Sequence, residues 1–245
     1  MPRRRWLWIL VGLALLIGLG STGIATFYTD VLWFQEVGFL SVFTKILSAR
    51  IGVAIAGGIL FFAITLANLW AILWRRTDFT LVGGLVMPIS FSLPRKIKRW
   101  AVIPAAVIGV LGGLAAYTQW HVILAFFNQT PFGVPDPFFG KDVGFYIFGL
   151  PFYRLIQQHL WAALTTSLLV SGIVYFLLGD LRFAPRRVMV ERRARVHLSV
   201  LAALLFAFKA WDYQLSIWDL MYSPRGVAFG ASYTDINAQV PAYRL

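Results

Sequence analysis

Lys209, Asp212, Ser216 and Asp219 recur at i, i+3, i+7 and i+10. That spacing lays four polar side chains along one face of a helix. Trp211, Leu215, Trp218 and Tyr222 take a neighbouring face. An ionisable group on a membrane-spanning helix costs about 3 kcal/mol or more, and it faces the bundle interior or a water-filled cavity. Two readings of the set stay open. Lys209 and Asp212 pair at i, i+3 and so make the helix tolerable in lipid. Alternatively, the face lines an outer-leaflet polar path, as in a transporter or channel component.

Two further constellations carry carboxylates. The first is Asp136, Lys141 and Asp142 in "GVPDPFFGKDVGFYIFGLPFY", a stretch with seven aromatics, three prolines and four glycines. The second is Ser232, Tyr233 and Asp235 near the last residue, where Ser232-x-x-Asp235 has the spacing of a capping box. Asp136, Asp142 or Asp235 would suit acid–base work on lipid or envelope precursors, provided that two of them reach one substrate. His121 and His159 end and begin neighbouring apolar runs. They would meet across the intervening loop in a two-imidazole haem or chlorophyll site, or serve as ordinary interfacial residues beside Trp120. No array of three or four zinc ligands is visible, and the expectation is that neither metal nor cofactor is bound. The absence of cysteine excludes disulfides, thiolate nucleophiles and cysteine-held metals. No nucleophile elbow, phosphate loop or metalloprotease motif occurs, so an enzyme is the less favoured class.

The elements that must position these residues are apolar. Hydrophobic residues make up 59% of the chain and charged residues 13%, against roughly 25% charged in a soluble domain. So few charges cannot cover a water-facing surface, and the solvent for most of the chain is lipid. Five runs are candidate spans, at about 6–29, 51–74, 100–127, 155–179 and 196–217. The first four exceed the ~20 residues that cross the hydrocarbon core. The fifth is weaker, because its uncharged part ends at Phe208. If the first run is a retained anchor, residues 1–5, 75–99 and 180–195 share one side with 15 Lys/Arg against three acids. The other side carries seven of each. Lysine and arginine collect on the cytoplasmic side, so the N-terminus is expected inside and the C-terminus outside.

Arg95, Lys96, Lys98 and Arg99, then Arg186, Arg187, Arg192, Arg193 and Arg195, set this orientation and attract anionic lipids. The net charge of +12 thus gathers on loops and points to no nucleic-acid partner. Gly109-x-x-x-Gly113, Gly52-x-x-x-Ala56 and Ala54-x-x-x-Gly58 have the spacing that lets membrane helices approach closely. Residues 80–94 are apolar but broken by Gly83, Gly84, Pro88 and Pro94, and read as an interfacial or re-entrant segment.

Three stretches, in order, resemble a bacterial family of uncharacterised multi-span membrane proteins, number 0182 in the uncharacterised-protein-family series. The first is "YTDVLWFQEVGFLSVF", with Asp30, Trp33, Phe34, Glu36, Gly38, Val42 and Phe43. The second holds Asp136-Pro137, Phe139 to Asp142, Phe145-Tyr146, Phe148 and Leu150 to Tyr153. The third is "GASYTDINAQVPAYRL", with Gly230 to Asp235, Ala238 and Pro241. The resemblance brings no established activity, substrate or catalytic residue. It implies a longer chain, with further spans and a large extracytoplasmic domain after this region. Ile236, Val240 and Leu245 likewise begin an apolar pattern that would continue.

The reading is therefore an all-α membrane protein, multi-pass in a bacterial plasma membrane, forming one helical transmembrane domain with interfacial outer loops. Its expected role is to anchor an extracytoplasmic domain or partner proteins. A transporter component and an envelope-lipid enzyme are the alternatives.

Overall fold

A computed structural model describes residues 21–74, 79–81, 91–93, 97–184, 187–226 and 229–244. These are mainly helical and fall into two compact units, Met1–Ala49 and Arg50–Leu245. The N-terminus, expected inside, most of the first expected span and most of the segment 80–94 lie outside the described residues.

In the first unit, residues 21–36 form α1. The helix ends on Gly38, which takes φ +77°, and the Phe39 N–H donates to the Phe34 carbonyl at 2.8 Å. This is the Schellman ending, which needs a left-handed residue that glycine adopts without a Cβ clash. The Phe34 and Phe43 rings lie 5.3 Å apart across the turn, and Phe27 lies 5.7 Å from Phe43. The motif around Asp30 to Phe43 is thus a helix–turn–helix joint closed by aromatics.

Helix α2 runs Leu40–Trp74, so the second expected span begins about three turns inside a longer helix. Short strands β1 (Phe79–Leu81) and β2 (Phe91–Leu93) pair antiparallel, pairing Thr80 with Ser92. The single helix expected over 100–127 is broken. After the short α3 (Ile97–Trp100), α4 (Val102–Tyr117) and α5 (Trp120–Phe127) meet at 61°. Apolar length alone does not report such a break, and Thr118 and Gln119 carry no proline that would have flagged it.

The fourth expected span also starts earlier. Phe145–Gly149 forms a π turn that runs directly into α6 (Leu150–Leu177). The second half of the aromatic stretch is thus helix rather than loop. Strands β3 (Leu181–Ala184) and β4 (Arg187–Val190) make a hairpin in register Leu181 to Val190. Helix α7 (Arg192–Asp219) follows, continued by a 3₁₀ turn over Leu220–Tyr222. A second π turn, Asp235–Gln239, leads into α8 (Val240–Arg244). Both π turns are followed at once by X-Pro, Leu150-Pro151 and Val240-Pro241. Proline has no N–H to donate and its ring crowds the carbonyl four residues back; a widened turn relieves that crowding.

Among the described residues, three helices are long and apolar enough to cross a membrane: Leu40–Trp74, Phe145–Leu177 and Arg192–Tyr222. The bent pair α4–α5 makes a fourth if taken as one span. Most of the first expected span lies outside the described residues, so the described helices bear on the other four alone.

The packing of these helices is small inside and large outside. Ile51, Ile55 and Ile59 on α2, Val107, Leu111 and Leu114 on α4, and Leu169, Ile173 and Leu177 on α6 are all exposed. Ala105, Gly109, Gly112, Gly113 and Ala116 are buried on α4. A Cβ on Gly113 would lie 2.6 Å from the Ala54 carbonyl oxygen, and one on Gly58 3.1 Å from the Gly109 oxygen. Of the spaced small residues, the α4 pair and Ala54/Gly58 form the contact, whereas Gly52 faces open space.

Larger side chains gather at the two ends of the α6–α7 pair. At the hairpin end, Leu69, Ile72, Leu73, Ala101, Tyr175, Leu178 and Ala194 form one core. At the other end, Tyr146, Leu150 and Leu215 form a second, and Ile217, Leu220 and Val240 a third; Phe139 packs against both.

Candidate functional site

The polar face of α7 closes on a residue from α6. Arg154 Nη1 donates to the Asp212 carboxylate and Arg154 Nη2 to the Asp219 carboxylate. Nη2 also reaches Ser216 Oγ at 2.9 Å. Lys209 Nζ donates to the second Asp212 oxygen at 2.6 Å and lies 4.8 Å from the Tyr213 ring centre. All four residues of this face are thus brought together, but around a fifth, Arg154, which stands just before the expected span 155–179. The imbalance was the available signal. One cation and two acids on a single apolar helix leave a charge that a neighbouring helix must meet. With Arg154 the set holds two cations and two anions. Its geometry is that of a clasp between α6 and α7, two turns of α7 being spanned by one guanidinium fork. Beside it, Gln157, Gln158 and Trp161 complete a cavity of 360 Å³ lined by Lys209 and Asp212.

The loop acids serve the backbone. Asp136 is buried. Its carboxylate accepts N–H bonds from Phe138 at 2.8 Å, Phe139 at 3.0 Å and Lys141 at 3.2 Å, and the Tyr146 hydroxyl at 2.7 Å. Asp142 accepts from Phe132 at 3.1 Å and from Gly133 and Gly144 at 2.7 Å. Between them the chain doubles back: Pro135 bridges Asp142, and Gly140 takes φ +65°. Burial pushes the Asp136 carboxyl up, but the Tyr146, Phe139, Phe138 and Lys141 bonds together hold it below its ordinary 3.8. For Asp142, the Phe132 and Gly144 N–H groups lead the lowering. Lys141 lies over the Phe145 and Trp218 rings at 5.5 and 5.9 Å, which ties the loop to α7.

The C-terminal motif has the same character. Ser232 N and Oγ donate to the Asp235 carboxylate at 3.0 and 2.9 Å, and Asp235 N donates back to Ser232 Oγ at 3.2 Å. This reciprocal pairing is the capping geometry that the spacing suggests. The Ser232 N–H is the main cause of a lowered Asp235 pKa, helped by the Ser232 and Ser223 hydroxyls and by Arg225. Tyr233 points outward and is 84% exposed.

The loop and the C-terminal segment form one cap. Phe145 meets Trp218 edge-on at 5.1 Å, Tyr146 meets Tyr222 at 6.4 Å, and Tyr243 stacks on Tyr213 at 5.8 Å.

The histidines lie elsewhere. His121 packs on Trp120 at 6.1 Å. His159 bonds the Leu155 carbonyl through Nδ1 at 2.8 Å and meets Phe61 edge-on. His197, which sequence reasoning passed over, joins three helices: Nδ1 meets the Tyr175 hydroxyl and Nε2 the Asn68 amide oxygen, each at 3.0 Å. No group of three or more His, Cys, Asp or Glu able to hold a metal occurs among the described residues.

These features define a helical protein built for an apolar surround, with one polar clasp and one ordered aromatic cap. Residues 6–245 match the model of the uncharacterised protein family UPF0182, and the chain belongs to that family. It is 36% identical over 245 residues to a UPF0182 protein of Saccharopolyspora erythraea, covering 98% of this chain and 25% of the relative. It is 36% identical over 234 residues to one from Moorella thermoacetica, covering 89% and 25%. With one from Mycobacterium ulcerans the identity is 35% over 249 residues, covering 99% and 25%. The chain therefore spans about a quarter of the length of the curated relatives it matches. No solved structure matches it.

Proposed function

We propose that this chain is a multi-pass module of the bacterial plasma membrane that anchors and assembles an extracytoplasmic domain or partner proteins, with its N-terminus inside and its capped end outside. The observation that carries this reading is the cap. Residues 128–149 fold onto 220–226 and 229–244 through Phe139, Tyr146, Leu220 and Val240 at one end of the α6–α7 pair. A prebuilt, ordered platform suits docking better than turnover. Its three acids are each engaged in bonds that shape the backbone, so the reading as an envelope-lipid enzyme gains nothing from them. A photo-crosslinking residue at Tyr233 in the intact full-length protein tests the proposal. Cross-links to an extracytoplasmic domain or a partner protein are expected; cross-links to lipid alone would sink it.

The second reading is a transporter component, favoured by the cavity that Lys209 and Asp212 share with Gln157 and Gln158. Under it, Asp212→Asn alters solute flux in proteoliposomes, and unchanged flux removes it.

A further inference from the structure

We infer that the groove between the C-terminal part of α2 and the first turns of α7 is a binding site for a phospholipid with an anionic headgroup. This rests on the membrane reading above and adds a ligand, a place and two headgroup residues. The groove encloses 840 Å³ and runs between Trp70 and Trp74 on one wall and Val196 and Val200 on the other. All four are exposed large apolar side chains, and the volume falls in the range of small-molecule sites, about 300–1,000 Å³. Its mouth is cationic, because Arg192 and Arg193 open α7 and both line the groove.

That mouth is unusual for a helix start. The first turn of a helix carries free N–H groups and the positive end of the dipole, which favour anions. Helix α7 has no acid in its first turn and its N-cap, Glu191, makes no capping bond from its side chain. Two arginines there add like charge to like. An anionic headgroup bound by both guanidiniums relieves that repulsion, and its acyl chains then lie along the tryptophan and valine walls. Of the described acids nearby, Asp180 is buried in the groove lining, and Glu191 is not part of that lining. Arg195 is turned to its own Val190 carbonyl at 3.2 Å. Tyr175 and His197, held in the bridge to Asn68, form the polar part of the floor.

The test uses the chain in nanodiscs of phosphatidylcholine with a minority of phosphatidylglycerol, released gently and weighed with its retained lipids by native mass spectrometry. Selective retention of phosphatidylglycerol is expected. Each arginine near a headgroup contributes about fivefold in affinity, so Arg192→Gln with Arg193→Gln weakens retention on the order of 25-fold. Arg187→Gln, on the β3–β4 hairpin that precedes α7 and outside the groove, leaves it unchanged. Ala71→Trp, which fills the groove and keeps both charges, also abolishes selectivity. Retention indifferent to the double variant, or lowered as much by Arg187→Gln, overturns the site in favour of diffuse surface attraction. Failure of the chain to enter the nanodisc at all would instead overturn the membrane reading.

Discussion

The Tyr146 hydroxyl donates to the Asp136 carboxylate at 2.7 Å, so the first turn leading into α6 holds the loop that precedes it. Tyr146→Phe keeps the ring against Leu150 and Leu215 and removes one bond to a buried carboxylate. A loss of about 1–2 kcal/mol is expected, read as a lower melting temperature in detergent. An unchanged melt would mean that the three N–H donors satisfy Asp136 by themselves.

The Arg154 clasp should be the most sensitive polar feature between α6 and α7. Arg154→Met leaves Asp212 to Lys209 alone and strips Asp219 of its cation. Breaking a fully buried pair costs about 3–5 kcal/mol. Asp219 is 40% exposed, so a smaller loss of about 2–3 kcal/mol is expected. Adding Asp219→Asn should restore part of it, giving a coupling of about 1–2 kcal/mol in a double-mutant cycle. Additive effects would show that the two side chains do not share the interaction.

Glycine substitutions should separate contact from coincidence. At Gly113 a new methyl would meet the Ala54 carbonyl, a backbone atom that cannot swing away. Gly113→Ala is expected to destabilise by about 1–3 kcal/mol. Gly52→Ala meets nothing within 4 Å and should be neutral or slightly stabilising. Thermal melting of the two variants side by side reads the difference, and equal behaviour would refute the α2–α4 contact.

Acid should loosen the cap. Asp136, Asp142 and Asp235 each titrate below the ordinary 3.8. A carboxylate with a lowered folded value adds stability that is present in full above the unfolded value and is lost as pH falls through the folded one. The melting temperature is therefore expected to stay level from about pH 5 to 8, as far as these three acids set it, and to fall below about pH 4. Asp142→Asn should flatten that fall. A fall centred near pH 6 would point to other groups.

Helix content and its apolar character were legible because they rest on composition and run length, which are local. The positions of Lys209, Asp212, Ser216 and Asp219 on one face followed from the 3.6-residue period. Arg154 did not, because its partners stand 58 to 65 residues away and only the unbalanced charge on α7 hinted at it. The glycine contacts show the same limit. Gly52 and Gly113 have equivalent spacing, yet only the facing helix decides which one is crowded. His197 was overlooked because its bonds to Tyr175 and Asn68 come from two other helices.

Turn chemistry was legible in part. The Ser232–Asp235 capping pair is encoded within four residues and was readable. The aromatic stretch lies wholly before the expected span 155–179, and the structure divides it at Gly144. Before that point the acids bind loop N–H groups; after it the residues wind into α6. Proline at position 151 was the clue, since proline is tolerated in the first turn of a helix.

The two π turns set the rotational phase between the cap and the helices that carry it. One extra residue in a turn displaces everything before it by about 100° around the axis relative to everything after. Across Phe145–Gly149 this lets a single rod present Tyr146 to the loop and Arg154 to α7. Deleting Ile147 would leave a longer regular helix with Arg154 still engaged, and would turn the aromatic loop away from the C-terminal segment. The cap is thus keyed to the α6–α7 pair by residue count as well as by contacts.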